Sequence, residues 1–188
     1  MATKGIDLFL TVNQPDEILL VLLFNSCTQV KTNKALKIGQ KVASEMSPIY
    51  HQNQYIVSSL LNMFVQYEDV SNAEYWFSKR ESSIIAHGEM MKCYNRCKLP
   101  MKTINIYRQI QKKQLKSDLI IYLLLCEAGS QIGIQSICQW IKNEIPNIML
   151  NDIRIQTALI HMWVKLNVLM KNYLFIILNI FKGQSRMY

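Results

Sequence analysis

Residues 54–80 read QYIVSSLLNMFVQYEDVSNAEYWFSKR and contain two apolar stripes separated by a polar turn. In the first stripe apolar residues recur every three or four positions from Val57 to Phe64, and the second runs from Ala73 to Phe77. This spacing places the apolar side chains on one face of a helix. The stretch therefore predicts a hairpin of two helices.

The first stripe recurs along the chain. Its members, spaced i, i+3, i+4 and i+7, are Leu20, Leu23, Phe24, Cys27; Val57, Leu60, Leu61, Phe64; His87, Met90, Met91, Tyr94; Tyr122, Leu125, Cys126, Gly129; and Gln156, Leu159, Ile160, Trp163. The last members of successive sets lie 37, 30, 35 and 34 residues apart. A period of this size is typical of solenoids built from two-helix units.

A second helix is predicted after each of the first four stripes. Its apolar faces are Ala35, Ile38, Gly39, Val42; Ala73, Trp76, Phe77, Arg80; Thr103, Ile106, Tyr107, Ile110; and Ile134, Ile137, Cys138, Ile141. One hairpin cannot bury both of its faces, whereas stacked hairpins form a continuous core. We therefore predict that the apolar residues of both sets pack in the core.

Helix-boundary signals agree with this division. Ser71 followed by Glu74 predicts a capping box, and Pro100 suits the first turn of a helix. Asp118 is a good N-cap residue, and Pro48 ends the helix that begins near Asn33. Because no segment alternates polar and apolar residues in a sustained way, we expect no sheet.

The formal net charge of +8 favours an anionic partner, of which nucleic acid is the commonest. No Asp or Glu lies between Met90 and Ser117. The basic residues of that stretch are Lys92, Arg96, Lys98, Lys102, Arg108, Lys112, Lys113 and Lys116. A surface facing phosphates and an ordinary solvated surface both fit this run.

We predict no metal, cofactor or catalytic site. The five cysteines are odd in number and follow no secretory signal, which indicates reduced, buried thiols inside the cell. Cys93 and Cys97 lack the spacing of a zinc pair, and the three histidines belong to no metal or triad motif. The apolar stretch Tyr173–Phe181 is too short to cross a bilayer, so no membrane partner is expected.

Residues 15–43 contain PDEILLVLLFNSC and KALKIGQKVA, and residues 84–118 read IIAHGEMMKCYNRCKLPMKTINIYRQIQKKQLKSD. With residues 54–83, these segments resemble the long, standard and short units of plant-style pentatricopeptide repeat proteins. The resemblance implies an all-α, right-handed alpha-solenoid of about four complete hairpins plus one degenerate hairpin. The expected division is an N-terminal segment at 1–14, units at 15–53, 54–83, 84–118, 119–152 and 153–166 onward, and a degenerate helix or tail at 167–188.

The resemblance further implies binding of single-stranded RNA at one base per repeat. The family reads bases with the fifth and last residues of a unit, which here are Ser58 with Ser83, Gly88 with Asp118, and Thr157. The fifth residues of the long units are Val21 and Leu123, which are apolar. Ile85 would sandwich a base, although core packing is its alternative explanation, and the eight basic residues would hold phosphates.

The family also implies a non-catalytic adaptor in RNA processing or modification, with any processing or editing enzyme supplied as a separate partner. A mitochondrial location is the implied compartment, although the N-terminus does not show a transit peptide; no small-molecule substrate is expected. Tetratricopeptide repeats are the structural alternative. The functional alternatives are a protein-interaction scaffold with a peptide in its groove and a fragment of a longer repeat protein.

Overall fold

The computed structural model describes residues 2–79 and 83–167, and within these ranges every regular element is a helix. The elements are α1 (Ala2–Phe9), α2 (Glu17–Val30), α3 (Asn33–Glu45), α4 (Gln54–Gln66), α5 (Val70–Ser78), α6 (Ile84–Arg96), α7 (Pro100–Lys112), α8 (Leu119–Ile132) and α9 (Gln135–Glu144). Residues 153–167 form the described part of α10. Short 3-10 helices span Pro48–Gln52 and Asn147–Asn151. The chain is therefore an all-α helical repeat protein.

Two compact units divide the chain, Met1–Lys116 and Ser117–Tyr188. In the first unit α2, α4 and α6 pack side by side, and α3, α5 and α7 each pack on the helix before them. We call α2, α4, α6, α8 and α10 the first helices, and α3, α5, α7 and α9 the second helices. In this unit α3 also contacts α4, and α5 also contacts α6. Adjacent hairpins therefore bury part of each other's surface, as in a solenoid.

The predicted core stripes of α2, α4, α6 and α8 are confirmed, because all their members are buried. Phe24 and Met90 are fully buried, and Phe64 is nearly so. Two glycines of the predicted apolar faces, Gly39 on α3 and Gly129 on α8, permit close helix packing. A Cβ at Gly39 would collide with the Met63 thioether, and one at Gly129 would lie 2.6 Å from Ile141 Cδ1 and 2.7 Å from Met162 Sδ.

The fifth stripe was predicted in the wrong register. Gln156 and Ile160 are exposed, and the buried side chains of α10 are Ile155, Met162 and Leu166. The apolar pattern Ile153, Ile155, Leu159, Ile160 fits two helix faces, and packing selected the other one. Ile134 was also wrongly assigned to the core, because it precedes α9 as its N-cap and is exposed. Arg80 of the predicted second-helix face lies outside the described residues.

Helix boundaries follow the predicted signals with one exception. Pro100 begins α7 and Asp118 caps α8, as predicted. Helix α3 ends at Glu45, three positions before Pro48. The capping box of Ser71 and Glu74 is wrong. Asp69 caps α5 instead, by accepting from Asn72 N at 3.2 Å, because the helix begins at Val70, before Ser71.

The first unit also contains α1, which lies in the predicted N-terminal segment at 1–14. In α1, Ile6 and Phe9 are buried, and α1 packs on α2. Eight residues are too few for the periodic pattern to be evident from sequence alone. The predicted division into long, short and standard units remains a prediction, and the predicted tail at 167–188 lies almost wholly outside the described residues.

Candidate nucleic-acid interface

The residue before each first helix is its N-cap residue, and before α4, α6, α8 and α10 it is also the last residue of a predicted unit. Asp16 Oδ1 accepts from Leu19 N at 2.8 Å, Asn53 Oδ1 from Tyr55 N at 2.9 Å, and Asp118 Oδ1 from Ile121 N at 3.0 Å. Asp152 stands at the same place before α10, and Ser83 precedes α6 without a side-chain capping bond. Capping uses one oxygen of Asp118, which leaves the other carboxylate oxygen with its hydrogen-bonding capacity.

An exposed apolar residue follows at the second position of four first helices. The exposed fractions are 64% for Ile18, 77% for Tyr55, 47% for Ile85 and 60% for Ile120. Sequence reasoning singled out only Ile85, whose alternative assignment to the core is wrong. The others lie, like Ile85, three positions before a fifth residue, so the same offset would have found them. Arg154 takes this position in α10 and pairs with Asp152 at 2.7 Å.

The fifth positions lie one turn further along the same helix face. Val21, Ser58, Gly88 and Leu123 are half-buried, and Thr157 is exposed. The Ser58 hydroxyl makes no hydrogen bond to any described residue, whereas Thr157 Oγ1 donates to Ile153 O at 2.7 Å. Ser58, Ser83 and Gly88 belong to the first unit, and Asp118 and Thr157 to the second, so the predicted pair of Gly88 and Asp118 is divided between units.

A cleft opens between the first turns of α2 and α4. It has a volume of about 230 Å³ and is lined by Glu17, Ile18, Val21, Leu22, Asn53 and Tyr55. Its walls are mainly apolar, and its polar groups form one pair, in which Asn53 Nδ2 donates to Glu17 Oε2 at 2.6 Å. The second-position residues of adjacent repeats, Ile18 and Tyr55, therefore flank one open space.

The eight predicted phosphate contacts do not form one row. Lys92 and Arg96 lie on α6, Lys102, Arg108 and Lys112 on α7, and Lys98, Lys113 and Lys116 in the turns that follow these helices. Lys92 lies 3.6 Å from Glu89, Arg96 Nη1 donates to Gln66 Oε1 at 3.1 Å, and Lys102 Nζ lies 2.8 Å from Glu74. The side chains of Lys98, Arg108, Lys112, Lys113 and Lys116 are exposed.

The cysteines are free thiols, and Cys27, Cys93, Cys126 and Cys138 are buried as predicted. Burial raises the pKa of Cys27 to about 11 and the pKa of both Cys93 and Cys126 to about 12. Cys97 is half-buried at the end of α6. Among the residues that the structure describes, no three His, Cys, Asp or Glu side chains lie close enough together to hold a metal ion.

Within the same described ranges, no helix combines the length and apolar character needed to cross a membrane. The stretch Tyr173–Phe181, which the sequence analysis judged too short to span a bilayer, lies outside these ranges.

No family model matches the chain. Two chloroplastic pentatricopeptide repeat-containing proteins of Arabidopsis thaliana do match it. One is 27% identical over 154 residues, which cover 80% of this chain and 25% of the relative. The other is 20% identical over 159 residues, which cover 84% of this chain and 19% of the relative.

The chain thus spans about a quarter of the length of one relative and a fifth of the other. Neither match distinguishes long, short and standard units, so that subtype remains a prediction. The chain is therefore an all-α helical repeat that resembles pentatricopeptide repeat proteins over at least 80% of its length.

Proposed function

We propose that this chain is a single-stranded RNA-binding segment of a pentatricopeptide repeat protein, and that RNA contacts the starts of its first helices. The observation that carries the proposal is the repeated exposure of an apolar side chain at Ile18, Tyr55 and Ile85 in the first unit and at Ile120 in the second. Each stands between the N-cap residue of its helix and a fifth residue. Exposed apolar and aromatic side chains of this kind provide surfaces on which bases stack.

The polar groups beside these stacking surfaces are few. Ser58, Ser83, Asp118 and Thr157 can form hydrogen bonds with a base edge. Val21, Gly88 and Leu123 cannot do so through a side chain. Stacking and phosphate attraction would then supply most of the affinity, and base selectivity would be confined to a minority of the repeats.

Phosphate contacts are best assigned to the basic residues that the fold leaves exposed. Lys98, Lys112 and Lys116 are exposed and have no salt-bridge partner among the described residues, in contrast to Lys92 and Lys102. The net charge of +8 adds a long-range attraction for a polyanion.

The cellular role follows from the family. We propose a non-catalytic adaptor in the RNA metabolism of an organelle, in which RNA processing or modification is carried out by a separate enzyme. Because the matched relatives are chloroplastic, the proposal covers the chloroplast as well as the mitochondrion. Since the chain spans a fraction of each relative, it would act as part of a longer repeat array.

A protein-interaction scaffold is the second candidate, and the mainly apolar cleft between Ile18 and Tyr55 favours it. A peptide could bury an apolar side chain there. The scaffold does not require the excess of positive charge, so the two candidates differ in how binding responds to salt.

The test is a mobility-shift experiment with a mixed pool of single-stranded RNA at low and at moderate salt. The proposal predicts a shift at low salt and an affinity that falls by ~0.7 log units per log unit of salt for each phosphate neutralised. Absence of binding, or binding that does not change with salt, would overturn the proposal and favour the scaffold.

A further inference from the structure

We infer that the cleft between α2 and α4 selects a guanine base, and that the Glu17 carboxylate makes the selection. This inference rests on the proposed binding of single-stranded RNA and adds to it a base identity at one place. It concerns a residue that belongs to neither the fifth nor the last position of a unit.

The carboxylate of Glu17 is held at the rim of the cleft by Asn53. Asn53 Oδ1 accepts from Tyr55 N at 2.9 Å and from Ile56 N at 3.2 Å, so the oxygen of this amide faces the backbone of α4. Its Nδ2 therefore points away from that backbone and donates to Glu17 Oε2 at 2.6 Å. One side chain thus caps α4 and binds an exposed carboxylate from the preceding repeat.

A fixed carboxylate accepts hydrogen bonds and donates none. Guanine is the one standard base whose pairing edge presents two adjacent donors, N1–H and the N2 amino group, and these match the two oxygens of a carboxylate. Adenine and cytosine place a ring acceptor beside their amino group, and uracil places its single N–H between two carbonyl oxygens. Those acceptors would face the negative charge of Glu17, which disfavours them. The second N–H of Asn53 Nδ2 has the right chemistry for guanine O6.

The cleft suits a single base. Its volume of about 230 Å³ lies below the range of pockets that hold drug-sized ligands. Tyr55 is 77% exposed and Ile18 is 64% exposed, and both line the cleft, so a ring bound there would contact both side chains. Stacking tolerates every base, so Tyr55 supplies affinity while Glu17 supplies discrimination.

The negative charge of Glu17 should affect the binding of RNA with guanine and RNA without guanine in opposite directions. A carboxylate on a surface that binds RNA repels the phosphates, and hydrogen bonds from a guanine edge offset this cost. Replacing Glu17 by Gln should therefore weaken binding of an RNA that places guanine in the cleft, and strengthen binding of an RNA that has none. A residue with a purely structural role would change both affinities in the same direction.

The experiment uses oligouridine and three versions of it that carry one central guanosine, inosine or adenosine, with affinities measured by fluorescence anisotropy. For the unchanged chain we expect the guanosine RNA to bind about 5- to 150-fold more tightly than oligouridine. Inosine, which lacks the N2 amino group, should lose most of that gain, and adenosine should show none.

The matched variants are Glu17→Gln and Glu45→Gln, which change charge equally; Glu45 is exposed on α3 and lies 4.0 Å from Lys41. Glu17→Gln should abolish the guanosine preference and bind oligouridine more tightly, whereas Glu45→Gln should keep the preference. If oligouridine and its guanosine version bind equally well, or if Glu17→Gln keeps the preference, the inference is overturned and RNA binding stands. If no version binds at low salt, the proposed function itself fails.

Discussion

The Tyr94 hydroxyl donates to Glu74 Oε1 at 2.7 Å, and the same oxygen accepts from Lys102 Nζ at 2.8 Å. Tyr94 lies on α6, Glu74 on α5 and Lys102 on α7, so one carboxylate oxygen joins the second and third hairpins. Lys102 Nζ also lies 5.3 Å from the centre of the Tyr94 ring. Tyr94 as a whole is 6% exposed, whereas the Glu74 side chain is 41% exposed.

Removing the acceptor should therefore destabilise the first unit. We expect Glu74→Ala to lower the free energy of unfolding by about 1–2 kcal/mol, because the Tyr94 hydroxyl and the Lys102 ammonium both lose a charged acceptor. Urea unfolding followed by circular dichroism measures this change. Glu45→Ala is the control, since an exposed pair contributes little, and its effect should stay within about 0.5 kcal/mol. Equal effects of the two variants would show that Glu74 is an ordinary surface carboxylate.

The same contact should make stability depend on pH. Hydrogen bonds from Lys102 and then Tyr94 hold the pKa of the Glu74 carboxyl below its ordinary value of 4.5. A carboxyl whose pKa is lowered by folding contributes stability above 4.5, and loses that contribution as pH falls through the folded-state pKa. The difference in stability between the unchanged chain and Glu74→Gln should therefore shrink on acidification from neutral pH. A difference that grows as the pH falls would contradict the lowered pKa.

Thiol reactivity should report how deeply the cysteines are buried. The thiolate is the reactive form, and burial raises the pKa of Cys93 and Cys126 to about 12, so few thiolates form at neutral pH. We expect a maleimide reagent to label Cys97 first, because it alone of the five is half-buried rather than buried. Mass spectrometry of digested protein locates the label, and labelling in urea should reach all five. Early labelling of Cys126 would show that the core of the second unit is open.

The fifth position of the third repeat offers a test by gain of function. Gly88 has no side chain with which to contact a base, so Gly88→Asn should raise affinity for single-stranded RNA about 2- to 10-fold by adding one hydrogen bond. Gly88→Ala is the control, because it removes the same helix glycine without adding a hydrogen-bonding group. It should gain roughly 0.5–1 kcal/mol of stability, and Gly88→Asn should gain less because Asn is a weaker helix former than Ala. Anisotropy measurements should show the gain for Asn alone. A similar gain for both would trace it to helix stability.

Most of the fold could be predicted because the core residues of each helix recur at the helical period. The stripes from Leu20 to Cys27 and from Val57 to Phe64 are buried as their spacing requires. In α10 the apolar residues fit two helix faces, and the buried face carries Met162, which packs beside Gly129 of α8. The Ser71 capping box failed because Asp69, two residues earlier, competes for the same role.

The candidate site could be predicted less completely. Ser58 and Asp118 are predicted from their place in the repeat, since fifth and last positions can be counted along a sequence, and their role in binding stays a prediction. The exposure of a side chain cannot be read from its position in the repeat. Tyr55 and Ile18 are residue types that are common in protein cores, and the structure shows that they face solvent. The hydrogen bond between Glu17 and Asn53 joins residues that lie 36 positions apart, so no local sequence pattern predicts it.

The most direct measurement compares the RNA affinity of Tyr55→Ala with that of Ile49→Ala. Tyr55 is 77% exposed at the start of α4, and Ile49 is 76% exposed in the 3-10 helix Pro48–Gln52, so the variants remove equally exposed apolar side chains. Thermal unfolding should be nearly unchanged for both. If the starts of the first helices bind RNA, Tyr55→Ala should lose about 1–3 kcal/mol of binding free energy for single-stranded RNA, and Ile49→Ala should lose none. Equal affinities for the two variants would contradict the account.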